Sequence, residues 1–287
     1  MILGATPAAD LRTRFAPSPT GRLHLGHAFS ALTAWGLAEG AGGVCLLRIE
    51  DIDTTRARPA FEAAIRDDLA WLGLSWPEPV LRQSGHLPRY AAALDRLAAL
   101  GVVYPCRCTR AEMRAALSAP QEGAPAPAVY PGTCRGRPMA GAAPGDAIRL
   151  DLGRALALAG PLDFVEGGPL RPGRHAVDGE ALRAGTGDVV LARRDIGTAY
   201  HLAVVVDDAF QGITHVVRGD DLFEATPLHR LLQALLGLPV PVWHHHRLIR
   251  DAAGRRLAKR DEARALATLR AEGATPADVR RMVGFPT

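Results

Sequence analysis

The sequence predicts a doubly wound α/β domain interrupted by an insert and followed by a short helical C-terminal region. Three observations predict it. Short apolar segments alternate with stretches of helical period, the order that builds a parallel sheet with helices on both faces. After Tyr104 this alternation gives way to cysteines and to Pro/Ala/Gly-rich sequence, SAPQEGAPAPA, and it returns only with AIRLDL and DVVLARR. At 287 residues, with 48% hydrophobic and 22% charged side chains, the chain has room for one large domain carrying a substantial insert, and its composition is that of a folded protein.

Each element follows from local chemistry. Residues 11–16, LRTRFA, read as a short strand, and the turn PSPTG leads into a helical pattern carried by Leu25, Ala28, Leu32 and Trp35. The run GVCLLRI at 43–49 is almost unbroken in its apolarity, as a strand buried on both faces requires, and its Cys45 is core. Pro59 opens a helix with Phe61, Ile65, Leu69 and Leu72 on one face, ending near Gly73, and a further helix covers 86–100. Beyond the insert, AYHLAVVVDD and ITHVVRG resume the pattern, and Thr226-Pro227 supplies a cap and first turn for PLHRLLQALLG. The boundaries fall at 1–104 for the first half of the sheet domain, 105–190 for the insert, 191–245 for the second half and 246–287 for an arginine-rich, helical end. There is no internal repeat.

No run approaches the roughly 18 apolar residues that span a bilayer, and the first residues lack a basic stretch followed by an apolar core, so a cytoplasmic protein without a membrane partner is expected. The formal charge of +4 permits a polyanionic partner. All but one of the 34 basic side chains are arginine, and Lys259 is the exception. Arginine serves for surface charge, whereas a compact, mobile ammonium reaching a phosphate is harder to replace.

The segment Arg14-Phe15-Ala16-Pro17-Ser18-Pro19-Thr20-Gly21-Arg22-Leu23-His24-Leu25-Gly26-His27 places a strand, a Gly/Pro turn and two histidines at a helix N-terminus. Backbone N–H groups and the helix dipole favour phosphate there, and Gly26 permits close approach to the backbone. His24 and His27, three apart, share a helix face and can donate to a phosphate as charge builds on it. Cys106 and Cys108 form a C-x-C pair with Cys134 further on, which in a cytosolic chain argues for metal rather than a disulfide. No histidine lies between His86 and His175, so a fourth ligand is a carboxylate, a tyrosine or water. The triplet His244-His245-His246 is read as packing or substrate-side, since adjacent residues converge poorly on one ion.

The string from Arg14 to His27 resembles the HIGH signature of class I aminoacyl-tRNA synthetases, in the form of the glutamyl and glutaminyl branch. Arg256-Leu257-Ala258-Lys259-Arg260 resembles the second signature, KMSKS, with arginine for a lysine and alanine for a serine, and it sets the sole lysine where the family meets the ATP phosphates. The resemblance implies a Rossmann-type class I catalytic fold with an inserted zinc-containing subdomain. It assigns His24, His27 and Lys259 to catalysis, Gly26, His27 and Lys259 to ATP, and Arg14, Phe15, Ala16, Pro17, Ser18, Glu50, Tyr200 and Arg218 to the glutamate pocket. Glu50 would hold the amino group, and Arg14 and Arg218 the two carboxylates. A guanidinium only donates, so a glutamine side chain would set its NH2 against a cation. The aspartates Asp51 and Asp53 are left open between loop and function.

The resemblance also implies structural Zn2+ on Cys106, Cys108, Tyr130 and Cys134, and ATP used with Mg2+. Because the chain stops shortly after Arg260, it resembles the short branch of the family that transfers glutamate from glutamyl-adenylate to the queuosine base in the anticodon of tRNA(Asp), acting as a monomer. The alternatives are a minimal enzyme charging a tRNA 3′ end, a non-catalytic RNA-binding paralogue, and a ligase adenylating another small carboxylate.

Overall fold

The computed structural model describes residues 11–109, 112, 129–250 and 264–285. In chain order the elements are β1 (Arg12–Phe15), α1 (Leu25–Gly40), β2 (Val44–Ile49), α2 (Pro59–Trp71), β3 (Leu81–Arg82), α3 (Leu87–Ala99), β4 (Val103–Cys106), β5 (Ala147–Leu150), α4 (Leu152–Ala159), β6 (Asp163–Glu166), β7 (Gly173–Ala176), α5 (Gly179–Gly185), β8 (Val190–Ala192), α6 (Tyr200–Phe210), β9 (His215–Gly219), α7 (Thr226–Leu236), β10 (Val242–His246), α8 (Leu266–Ala271) and α9 (Pro276–Met282). Strands β1, β2 and β3 pair in parallel, as do β9 and β10. The two groups meet where Thr214 N donates to Arg12 O at 3.0 Å and Arg12 N donates to Thr214 Oγ1 at 2.8 Å, so β9 runs beside β1. The strand order therefore reverses between β1 and β9, and in such sheets ligands bind at the carboxyl ends of the strands flanking that point.

Helices cover both faces. On one, the alanine-rich side of α1 (Ala28, Ala31, Ala34 and Ala38) lies close on the sheet and packs with Ile65 and Leu69 of α2 and with Leu266, Leu269 and Val279 of the C-terminal helices. On the other, α3, α6 and α7 bury Tyr90, Leu97, Leu202, Val204, Leu228 and Leu232 together. Among the described residues no helix is long and apolar enough to cross a membrane.

Strands β4, β5 and β8 form a separate antiparallel sheet. Within the span 105–190 that composition marks as insert, however, β6 and β7 form a hairpin whose β6 pairs in parallel with β10, extending the main sheet. Phe164 drives this docking by packing against Trp243, Val216 and Ile213. Thr226 is not the cap expected of it. A 3₁₀ turn at Asp220–Ala225 runs directly into α7, Thr226 is already helical, and its hydroxyl accepts from Arg218 instead.

Candidate active site

The carboxyl ends of β1 and β9, the N-terminus of α1 and the start of α6 enclose a cleft of about 710 Å³. Its walls include Arg14, Phe15, Ala16, Pro17, Ser18, His27, Glu50, Tyr200 and Arg218, so residues spread over two hundred positions of sequence meet at the switch point. The PSPTG turn is tied to the end of β2, where Glu50 N donates to Pro17 O at 3.1 Å.

The two histidines of the turn build the start of α1. His24 is the N-cap; its Nδ1 accepts from Gly26 N at 3.1 Å, while His24 N donates to His27 Nδ1 at 3.2 Å. The result is a capping box made of two imidazoles, with ring centroids 3.8 Å apart. Because each Nδ1 accepts, a neutral ring at either position carries its proton on Nε2, and of the two it is His27 that lines the cleft. A Cβ on Gly26 would stand 3.0 Å from the His24 ring, so glycine there makes room for the cap itself.

A buried ion network backs the cleft. Asp208 accepts from Arg14 Nε at 2.9 Å and from Arg48 Nη1 at 2.7 Å, and Arg48 Nη2 donates to Glu50 at 3.2 Å. Burial raises the Glu50 carboxyl above its ordinary value against the pull of Arg48 and Arg14, so a ligand ammonium beside it would be welcomed as a further counter-charge. Arg14 thus enters the site with its charge already met by Asp208. Arg218 does not. It is buried and its described partners are neutral: His245 Nε2, His229 Nδ1, Leu222 O and Thr226 Oγ1. A cation so placed has much to gain from an incoming carboxylate.

Sequence reasoning did not find Asp208, Arg48, Glu166 or His229; His245 was singled out within the histidine triplet, for packing or the substrate side, and the structure sets it between Arg218 and Glu166. The one visible signal was an acid at the end of the apolar helix segment VVVDD. Both aspartates left open tie loops, and Asp53 also lines the cleft. Asp51 accepts from Ser84 N and Oγ at 2.8 and 2.6 Å, and Asp53 from Thr55, Arg56 and Arg193. Lys259 and its signature lie outside the described residues. Beyond them the chain returns to the site, where Ala265 bridges to His24 and Leu266 N donates to Leu23 O at 2.9 Å.

In the β4–β5–β8 unit, Cys106, Cys108 and Cys134 bring their sulfur atoms within 4.8 Å of one another. Cys108 and Cys134 stand 3.6 Å apart, and the Tyr130 hydroxyl lies 3.4 Å from both Cys106 and Cys108. Thiolates about 2.3 Å from a tetrahedral zinc would be about 3.8 Å apart, so three sulfurs and one phenol oxygen have the spacing of a four-coordinate metal site. The Arg149 guanidinium covers the Tyr130 ring at 3.9 Å, and Arg194 donates to the carbonyls of Cys106 and Cys108. Its neighbour Arg193 lines the cleft, so adjacent residues join the cysteine knuckle to the cleft wall.

Comparison with known proteins agrees with this architecture. The family model for the catalytic domain of class I tRNA synthetases (E and Q) matches residues 10–139 and 175–284. A Rhodobacter capsulatus protein named glutamyl-Q tRNA(Asp) synthetase is 60% identical over 279 residues, 95% of this chain and 99% of that one. A protein of the same name from Nitratidesulfovibrio vulgaris is 43% identical over 94% of this chain and 84% of its own length. Among solved structures, a glutamate tRNA ligase from Elizabethkingia meningosepticum, in complex with its amino acid, superposes with a TM-score of 0.75 at 28% identity, over 96% of this chain. The chain spans 60% of that structure's length. A methionyl-tRNA synthetase from Mycobacterium tuberculosis, 11% identical with a TM-score of 0.56, shares the fold alone. The histidine-capped helix at a reversing parallel sheet and these matches lead to one conclusion: the chain belongs to the class I tRNA synthetases of the E and Q type, and it is a ligase.

Proposed function

We propose that the protein activates glutamate with ATP and transfers the glutamyl group to the queuosine base in the anticodon of tRNA(Asp). The observation that carries the glutamate half is the pairing, across one cleft, of Arg218, a buried cation with neutral partners, and Glu50, an acid able to receive an ammonium. The acceptor rests on kinship with the Rhodobacter protein, matched over nearly its whole length. In the first step a glutamate α-carboxylate oxygen attacks the α-phosphorus. The carboxyl–phosphate bond forms, the bond to the β-phosphate bridge breaks, and pyrophosphate leaves. The Nε2–H donors of His24 and His27 and the ammonium of Lys259 meet the charge that develops on the phosphates, with Mg2+ accompanying ATP. In the second step a queuosine hydroxyl attacks the glutamyl carbonyl and AMP departs.

The test is transfer of labelled glutamate to tRNA from cells that contain queuosine and from cells that lack it. Labelling confined to the first supports the proposal, whereas equal labelling of both identifies an enzyme that charges the 3′ end. Glu50→Gln should raise the KM for glutamate in ATP–pyrophosphate exchange by about tenfold to a hundredfold, the loss of a charged hydrogen bond, with the KM for ATP little changed. A glutamate KM equal to wild type would remove Glu50 from the pocket.

We assign one structural Zn2+ to Cys106, Cys108, Tyr130 and Cys134, which would brace the knuckle without entering the chemistry. Cys134→Ser should lower bound zinc and thermal stability while reducing pyrophosphate exchange less. Full zinc occupancy in the purified variant, by elemental analysis, would exclude Cys134 as a ligand.

A further inference from the structure

Behind Arg218 lies a chain of imidazoles that the two steps above leave unused. Arg218 can only donate, and it gives Nε–H to His245 Nε2 and Nη1–H to His229 Nδ1, both at 3.0 Å. Each receiving nitrogen is therefore bare, so His245 carries its proton on Nδ1 and His229 on Nε2. The far side of each ring agrees. His245 Nδ1 meets Glu166 Oε2 at 2.5 Å, and His229 Nε2 meets His201 Nδ1 at 3.0 Å. The other Glu166 oxygen accepts from His245 N at 2.9 Å and Gly168 N at 2.6 Å, and a Cβ on Gly168 would stand 2.5 Å from it, so the loop after β6 is shaped around this carboxylate. Burial and the nearby Arg218 keep the imidazoles neutral. They hold His229 well below the ordinary range and His201 at about 4, and burial outweighs the pull of Glu166 on His245.

We propose that Glu166 and His245 are positioning residues for amino-acid recognition: the carboxylate locks the Nδ1–H tautomer of His245, whose bare Nε2 orients the Arg218 guanidinium toward a substrate carboxylate. This rests on the reading that Arg218 meets such a carboxylate. Glu166 comes from the hairpin that extends the main sheet and His245 from β10, so the hairpin has a task beyond covering an edge.

Glu166→Gln separates this role from packing. An amide turned to set its NH2 against two backbone N–H groups is the costlier arrangement, so the NH2 faces His245 Nδ1. That nitrogen must then be bare, and the proton moves to Nε2, opposite the Arg218 Nε–H. Removing a negative charge behind Arg218 would, by Coulomb attraction alone, tighten the binding of an anion, so weaker binding reports the tautomer. The expected result is a glutamate KM in pyrophosphate exchange raised about tenfold to a hundredfold. The KM for ATP should stay within about twofold of wild type, because the tautomer change is confined to the amino-acid side. The 15N imidazole resonances of His245, assigned against His245→Gln, should change from the Nδ1–H to the Nε2–H tautomer.

An unchanged or lower glutamate KM in a folded variant overturns the positioning role. Should the variant fail to fold, the wild-type spectrum still decides, since an Nε2–H tautomer of His245 there overturns the proposal. Wild-type protein that exchanges no pyrophosphate with glutamate overturns the substrate reading instead, a distinct outcome.

Discussion

Asp208→Ala should cost about 3–5 kcal/mol of folding stability and remove glutamate binding with it, because it strips the shared counter-ion from two buried guanidiniums. The side chain of Arg48 is fully buried, and Asp208 and Glu50 are its acidic partners among the described residues. Arg14 is buried as well, and its described acidic partner is Asp208. With the carboxylate gone, both cations must recruit water into the core beneath β1 and β2, and the guanidinium of Arg14 swings from its place under the cleft. Burial pushes the Asp208 carboxyl up, but Arg14 and Arg48 overrule it and hold it below its ordinary value. A depressed carboxylate contributes stability that is complete above the unfolded value of about 4 and is lost as pH falls through the folded one. Asp208→Asn should therefore unfold in urea with a shallower dependence on acid below about pH 4 than wild type does. A cost under about 1 kcal/mol for the alanine variant would show that the network contributes little.

Lys259→Ala should lower glutamate-dependent pyrophosphate exchange by about a hundredfold to a thousandfold, the scale for removing one preorganised group that stabilises a transition-state charge, and should leave thermal stability near wild type. The position carries the chain's one lysine amid arginines, and the segment that contains it leads to Ala265, which bridges to the N-cap His24. Lys259→Arg should recover only part of the rate, since a planar fork does not replace a point charge on a mobile stem. Exchange at the wild-type rate in the alanine variant would remove Lys259 from the phosphate chemistry.

Much of this site was legible because its signals are local. The strand–turn–helix of residues 12–40 is written in the apolar period and in PSPTG, and the histidines that cap the helix lie within its first turn. The C-x-C pair with Cys134 was likewise a matter of spacing, whereas Tyr130 came from the family resemblance, and the thiols do converge. What escaped was the support. Arg14 and Asp208 are 194 residues apart, Glu166 and His245 79 apart, and nothing in either neighbourhood marks one as the partner of the other. The HHH triplet could not be resolved either, because strand alternation is a property of the folded sheet: only there does His245 face Glu166.

By itself, then, the sequence determined the α/β alternation, the phosphate-favouring helix start and a cysteine spacing that could hold a metal, since backbone period and short-range geometry dictate each of these. Only the tertiary structure decided that the 163–176 hairpin belongs to the main sheet, that Thr226 serves Arg218 rather than capping a helix, and that Arg14 is charge-matched while Arg218 waits among neutral imidazoles. Those outcomes turn on which polar groups are buried together, and the free energy of a buried charge depends on neighbours that only the folded chain assembles.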